Sequence, residues 1–191
     1  MKYYIKLGLI LLLITSVASG ILALLNNKTQ PIIEENQRKE AEQARKEVLP
    51  EATVFEEVTT PDFSYYIGKN ADNQIVGYTF VASKFGYSSE VKTMVGVNPD
   101  LTIKKIKIIS QSETPGLGAN CMKPDFAPKF EGLKLEKLKV DKDGGDIKSI
   151  TGATITTRTV TNSIKEALEK LMNILPKNNI FEEKSAEEVS R

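Results

Sequence analysis

Two short loops hold the residues of this chain best suited to gripping a flat, anionic ligand. One is Thr151-Gly152-Ala153-Thr154-Ile155-Thr156-Thr157, small and hydroxylated residues placed just before a stretch with helical spacing. Main-chain N–H groups at a helix start lack helical acceptors, and together with the helix dipole they favour a phosphate. The same threonines would equally well cap the helix. Neither the P-loop pattern nor GxGxxG is present to mark a nucleotide site. The other loop is Ser112-Glu113-Thr114-Pro115-Gly116-Leu117-Gly118. Its Pro115-Gly116 step reads as a tight turn, and Gly116 and Gly118 would let backbone come close to a planar ring. A plain connection between two elements has the same composition.

What the chain lacks narrows the chemistry further. It has no His, the commonest general base and metal ligand, and a single Cys, Cys121. An intrachain disulfide and a cysteine-ligated iron–sulfur cluster are therefore excluded, and redox work would need an organic cofactor. A lone Cys121 reads as a small packing residue. Lys plus Arg number 26 against 25 Asp plus Glu, a net charge of +1, so there is no electrostatic case for nucleic acid.

The elements that would position these loops follow from periodicity. Val160, Ile164, Ala167, Leu168 and Leu171 recur at helical spacing, predicting a helix from about Thr157 to Leu175 that Pro176 ends. Strand-like runs rich in Val, Ile, Thr, Tyr and Phe cover Phe63–Gly68, Gln74–Phe85, Glu90–Val97 and Leu101–Ser110. The last two lie close enough for an antiparallel hairpin, and the alternation changes phase at Lys104–Lys105, as at a β-bulge. The expected class is α+β, an antiparallel sheet with packed helices.

Ahead of this domain, Leu7–Leu25 is an uncharged run of nineteen residues. As a helix it spans about 28 Å, close to the hydrocarbon thickness of a bilayer. Lys2 and Lys6 precede it, which favours a cytoplasmic N-terminus and an exported remainder. A cleaved signal peptide is the competing reading, with small residues at Ser16–Gly20, but the apolar run continues past the usual length. From Pro31 to about Leu49 the chain is rich in Glu, Lys, Arg, Gln and Ala, which reads as a solvated stalk helix. The expected organisation is an anchor over 1–27, a stalk over 28–50, a folded domain over 51–176 and a polar, disordered tail over 177–191.

The tetrad Thr151-Gly152-Ala153-Thr154 resembles the S/T-G-A-T motif of the FMN-binding domain family. Gly86-Tyr87, Met94-Val95-Gly96-Val97 and Glu113-Thr114-Pro115-Gly116-Leu117-Gly118 also match the family pattern, in order, over about 63–175. The order and the N-terminal helix are similar to the G subunits of Rnf-type ion-translocating ferredoxin:NAD oxidoreductase complexes. The C subunits of sodium-translocating NADH:quinone oxidoreductases share the tetrad but are usually longer, and FMN-binding sensor modules are a further alternative. The resemblance implies FMN esterified through its phosphate to Thr154 by a flavin transferase that uses FAD. It implies the 151–156 and 113–118 loops as cofactor-binding, and neighbouring membrane and redox subunits as partners. Ser88-Ser89 stands where Gly-Gly commonly follows Gly-Tyr, and Lys148 where many members carry Asp; Asp146 is out of register.

Overall fold

Turn formers separate successive β-rich runs, and each run pairs with the next one along the chain. Strands β1 (Val54–Thr60), β2 (Phe63–Lys69), β3 (Ile75–Phe85), β4 (Glu90–Val97) and β5 (Ile103–Ser110) form one sheet in sequence order, every neighbouring pair antiparallel. The structure, a computed structural model, describes residues 2–189, with side chains described as far as Leu175. Strand β1 is not among the runs read from the sequence. Its segment Val54-Phe55-Glu56-Glu57-Val58-Thr59-Thr60 is acidic and largely exposed, as an edge strand can be, and carries little apolar alternation. The expected β4–β5 hairpin is present. Gly96 pairs with Lys105 and Val97 with Ile103, so Lys104 is the extra residue of a bulge. That bulge keeps Ile103, Ile106 and Ile108 on the same buried face despite the shift in alternation.

One face of the sheet packs against helix α2 (Thr154–Val189). Tyr65, Phe80, Val95 and Ile106 meet Val160, Ile164, Leu168 and Leu171 in a single core. The predicted stripe on this helix is buried throughout. Between β5 and α2 the chain makes short 3-10 turns at Gly118–Met122 and Ala127–Phe130, which bring Cys121, Phe126 and Phe130 under the same core. Residues Gly132 and Leu133 also hydrogen-bond Ile103 and cover part of the β5 edge.

The opposite face of the sheet receives the last turns of helix α1 (Lys2–Val48). Ala44 and Val48 are buried against Met94, and Leu49 is buried beyond the helix end. Glycines make this approach possible: a Cβ on Gly96 would stand 2.4 Å from the Val48 carbonyl oxygen, and one on Gly68 would stand 2.5 Å from Leu49 Cδ2. Glu47 pairs with both Lys105 and Lys107, and the Arg45 guanidinium lies 3.4 Å from the centre of the Tyr66 ring. A wholly solvated stalk is thus corrected in its final turns, where a short stripe of Ala41, Ala44 and Val48 packs on Met94 and Ile109 and glycines let the backbone come close.

The chain divides into two units, residues 1–40 and 41–191. Residues 2–40 of the first lie within α1 and contain an uncharged segment long and apolar enough to cross a membrane. Anchor and stalk are one continuous helix with Pro31 inside it. Proline there removes one helical hydrogen bond, at about 3 kcal/mol, and the Glu-, Lys-, Gln- and Ala-rich run that follows it favours helix. At the other end the backbone of α2 likewise carries past Pro176, where the sequence pattern predicts a stop. The side chains of the polar tail expected over Lys177–Arg191 lie outside the described residues.

Candidate functional site

The Thr151–Thr157 loop is a turn followed at once by a helix. The Ala153 N–H donates to the Ile150 carbonyl at 2.9 Å, and Gly152 has φ +75°, the left-handed value that the third position of such a turn requires. The Thr157 N–H then donates to the Ala153 carbonyl at 3.1 Å, the first helical bond of α2. Ala153 is therefore the N-cap, and the helix begins three residues earlier than its apolar stripe suggests. The threonines do not cap it: alanine offers no side-chain acceptor, so the N–H groups of Thr154, Ile155 and Thr156 are left over by the helix.

The hydroxyls of this turn have different fates. Thr157 Oγ1 accepts from the Ile150 N–H at 3.0 Å and donates to the Ala153 carbonyl at 3.2 Å, stapling the turn. Thr156 Oγ1 donates to the Glu113 carboxylate at 2.6 Å and is buried. The Thr154 hydroxyl is half-buried and has no hydrogen-bond partner among the described residues.

Glu113 joins the second loop to the first. Its carboxylate accepts from the N–H groups of Ser88 at 2.8 Å, Ser89 at 3.0 Å and Tyr87 at 3.2 Å, as well as from Thr156. Those three donors belong to the Gly86–Ser89 turn between β3 and β4, closed by the Gly86 N–H to the Ser89 carbonyl at 2.7 Å. Burial pushes the Glu113 carboxyl up, but the bonds from Thr156, Ser88, Ser89 and Tyr87 outweigh it and hold the group below the usual carboxylate range.

Together these pieces enclose a cavity of about 410 Å³, lined by Tyr87, Glu113, Thr114, Leu117, Gly118 and the segment from Gly152 to Thr156. That is within the span of small-molecule sites, and the lining mixes apolar side chains with a few convergent polar groups. Nine of the predicted site residues meet here: Glu113, Thr114, Leu117, Gly118, Gly152, Ala153, Thr154, Ile155 and Thr156. Pro115 and Gly116 do not line it, and Thr151 faces a separate polar cleft with Lys123 and Lys129. Tyr87 is the lining residue that spacing alone did not single out, although it belongs to the Gly86-Tyr87 pair.

The two loop glycines differ from expectation. Gly116 has φ +78° and open space around it, so its role is the turn itself. A Cβ on Gly118 would stand 2.6 Å from Thr156 Oγ1 and 2.8 Å from the Glu113 carboxylate, so its bareness is required by protein packing. Cys121 is buried and its thiol is pushed up to about 11, first by burial and then by the charge of Glu113. Lys148 is exposed and its carbonyl accepts from Lys129, while Asp146 pairs loosely with Lys137. The carboxylate that does hold the approach to the tetrad is Asp141, which accepts from both the N–H and the hydroxyl of Ser149. No cluster of metal-binding side chains occurs among the described residues.

Residues 86–169 match the FMN-binding domain, and residues 2–48 match the RnfG N-terminal region. The chain is 35% identical to the G subunit of the Na⁺-translocating ferredoxin:NAD⁺ oxidoreductase complex of Acetobacterium woodii, over 91% of this chain and 94% of that protein. It is 31% identical to the G subunit of the ion-translocating oxidoreductase complex of Methanosarcina acetivorans, over 88% and 94% respectively. The crystal structure of the C subunit of the Na⁺-translocating NADH-quinone reductase from Parabacteroides distasonis has the same fold, with a TM-score of 0.51 and 20% identity over 70% of this chain and 91% of that one. The anchor helix, the FMN-binding domain and these relatives together make the protein a single-pass, membrane-bound, FMN-binding electron-transfer component: the chain belongs to the RnfG family, the G subunits of Rnf-type ion-translocating oxidoreductase complexes.

Proposed function

We propose that this chain carries FMN covalently, as a phosphoester on Thr154 Oγ1, and relays electrons between neighbouring redox subunits of an Rnf-type ferredoxin:NAD oxidoreductase complex. The observation that carries this reading is the Thr154 hydroxyl, without a protein partner among the described residues, on the wall of the cavity at the first residue of α2. The leftover N–H groups of Thr154, Ile155 and Thr156 suit a phosphate there, and Tyr87, Leu117 and Ile155 offer apolar surface for a ring system. Bound in this cavity, the flavin supplies one- and two-electron transfer. In the attachment step a flavin transferase joins Thr154 Oγ1 to the FMN phosphorus of FAD while the pyrophosphate bond breaks and AMP leaves. A covalent tether suits a domain on the extracytoplasmic side, where the short basic N-terminus directs it and where lost FMN is not replaced.

The chain itself need hold no proton shuttle or nucleophile for a substrate, in keeping with its lack of His. Ion movement belongs to the whole complex, since one spanning helix forms no ion path. Membranes from cells that possess the transferase, run on a denaturing gel under ultraviolet light, should show a fluorescent band near 21.2 kDa. Thr154→Ala should abolish it. A band that survives the substitution would place the ester elsewhere, and no band in the wild type would refute the covalent reading.

A further inference from the structure

The three most distinctive segments of the domain converge on one group that the attachment chemistry does not use. Gly86-Tyr87, Glu113 to Gly118 and the first turn of α2 all close around the Glu113 carboxylate. A Cβ on Gly86 would stand 2.8 Å from Glu113 Oε1, and one on Gly118 would stand 2.8 Å from Oε2. The group is sealed in protein, with 4% of the residue exposed, and its acceptors are taken up by Tyr87, Ser88, Ser89 and Thr156. All of these donors are neutral, the Ser89 hydroxyl at 3.4 Å included. Among the described residues no Lys or Arg forms an ion pair with it, so a net negative charge remains in the cavity wall.

We propose that Glu113 is a positioning residue for the flavin site. Its carboxylate holds Tyr87 and the start of α2 in place around the cavity, and its charge holds the flavin's reduction potential down. The inference rests on the reading that FMN occupies this cavity. Adding an electron to a ring beside a fixed anion is unfavourable, and the effect is large where water is excluded. Hydrogen bonds from neutral donors stabilise the anion but do not cancel its charge. Cys121, buried nearby, senses the same field, since the charge of Glu113 helps to raise its thiol. A carboxylate that is to remain ionised in a buried wall needs several donors, which accounts for a turn with three N–H groups aimed at one side chain.

The test is the midpoint potential of the attached flavin in the full chain, purified in detergent after expression with its transferase. Glu113→Gln keeps the shape and removes the charge, and should move the potential positive. Glu113→Asp keeps the charge and should stay nearer to wild type. Thr156→Val removes one donor and makes the carboxyl easier to protonate, so as pH falls the potential should rise above the wild type's first in this variant. A purely structural disturbance would not give a pH-dependent gap. An unchanged potential in Glu113→Gln that still carries fluorescent flavin overturns the proposal, as does a Thr156→Val gap that does not vary with pH. If Glu113→Gln does not accumulate, the pH dependence of the Thr156→Val gap decides alone. Absence of a fluorescent band in the wild type would instead refute the covalent attachment itself, so the two failures are distinguishable.

Discussion

Gly118→Ala and Gly116→Ala alter the same loop by the same methyl group, and the structure assigns them unequal costs. At position 118 the new Cβ falls 2.6 Å from Thr156 Oγ1 and 2.8 Å from both Cβ and Oε2 of Glu113. Relief requires the first turn of α2 and the Glu113 side chain to separate, which breaks the buried 2.6 Å hydrogen bond between them. Overpacking costs roughly 1–3 kcal/mol and a hydrogen bond to a charged group contributes about 1.5–3 kcal/mol, so a loss of about 3 kcal/mol is expected. For a domain of this size each kcal/mol lowers Tm by about 2–4 °C, which gives a drop of roughly 6–12 °C. At position 116 nothing lies within 4 Å of the added Cβ, and only the left-handed φ of +78° is unfavourable. That strain is about 1 kcal/mol, or a drop of roughly 2–4 °C. Thermal melting of the two full-length variants followed by circular dichroism compares them directly. Equal losses, or a larger loss for Gly116→Ala, would refute the claim that Gly118 is bare in order to seat Glu113 against Thr156.

Other parts of the structure give equally definite expectations. Gly96→Ala would drive a methyl to 2.4 Å from the Val48 carbonyl oxygen, so hydrogen exchange over residues 41–49 should quicken more than exchange over α2. Because folding holds the Glu113 carboxyl below its ordinary value, its contribution to stability is complete above the usual Glu range and is lost as pH falls through the folded value. The Tm gap between wild type and Glu113→Gln should therefore be narrower at roughly pH 3 than at roughly pH 7. With its thiol at about 11, Cys121 should be only about one part in a thousand thiolate at pH 8 and should resist alkylation until the domain unfolds. Rapid labelling of the native protein, read by mass spectrometry, would contradict that.

The parts of the molecule legible in the sequence are those written as repeating apolar positions or as runs of one residue class. The stripe from Val160 to Leu171, the alternation that breaks at Lys104–Lys105 and the uncharged run from Leu7 to Leu25 all reappear as expected. Strand β1 was hidden because Glu56 and Glu57 interrupt any alternation on an exposed edge. The docking of the α1 end was hidden for a different reason. Its signal lies in Gly68 and Gly96 on other strands, and a glycine in a strand does not reveal what approaches it.

At the site, the two loops were recognised as ligand-binding candidates, but the relation between them was not. Nothing in the spacing of Glu113, Ser88 and Thr156 shows that one carboxylate gathers all three segments, since its partners lie 25 and 43 residues away from it in sequence. The threonines of the tetrad were likewise ambiguous between capping and binding. The Ala153 carbonyl settles the cap, and the different bonding of Thr154, Thr156 and Thr157 separates one hydroxyl from its neighbours.

The central claim concerns one oxygen atom, and it can be tested on one peptide. Trypsin cleavage after Lys148 and Arg158 releases Ser149–Arg158, which contains Thr151, Thr154, Thr156 and Thr157. Mass spectrometry of this fragment from membranes of cells that possess the flavin transferase should show the mass of FMN less one water, with fragmentation localising it to Thr154. A fragment found only unmodified, or carrying the flavin on Thr151, Thr156 or Thr157, would contradict the account.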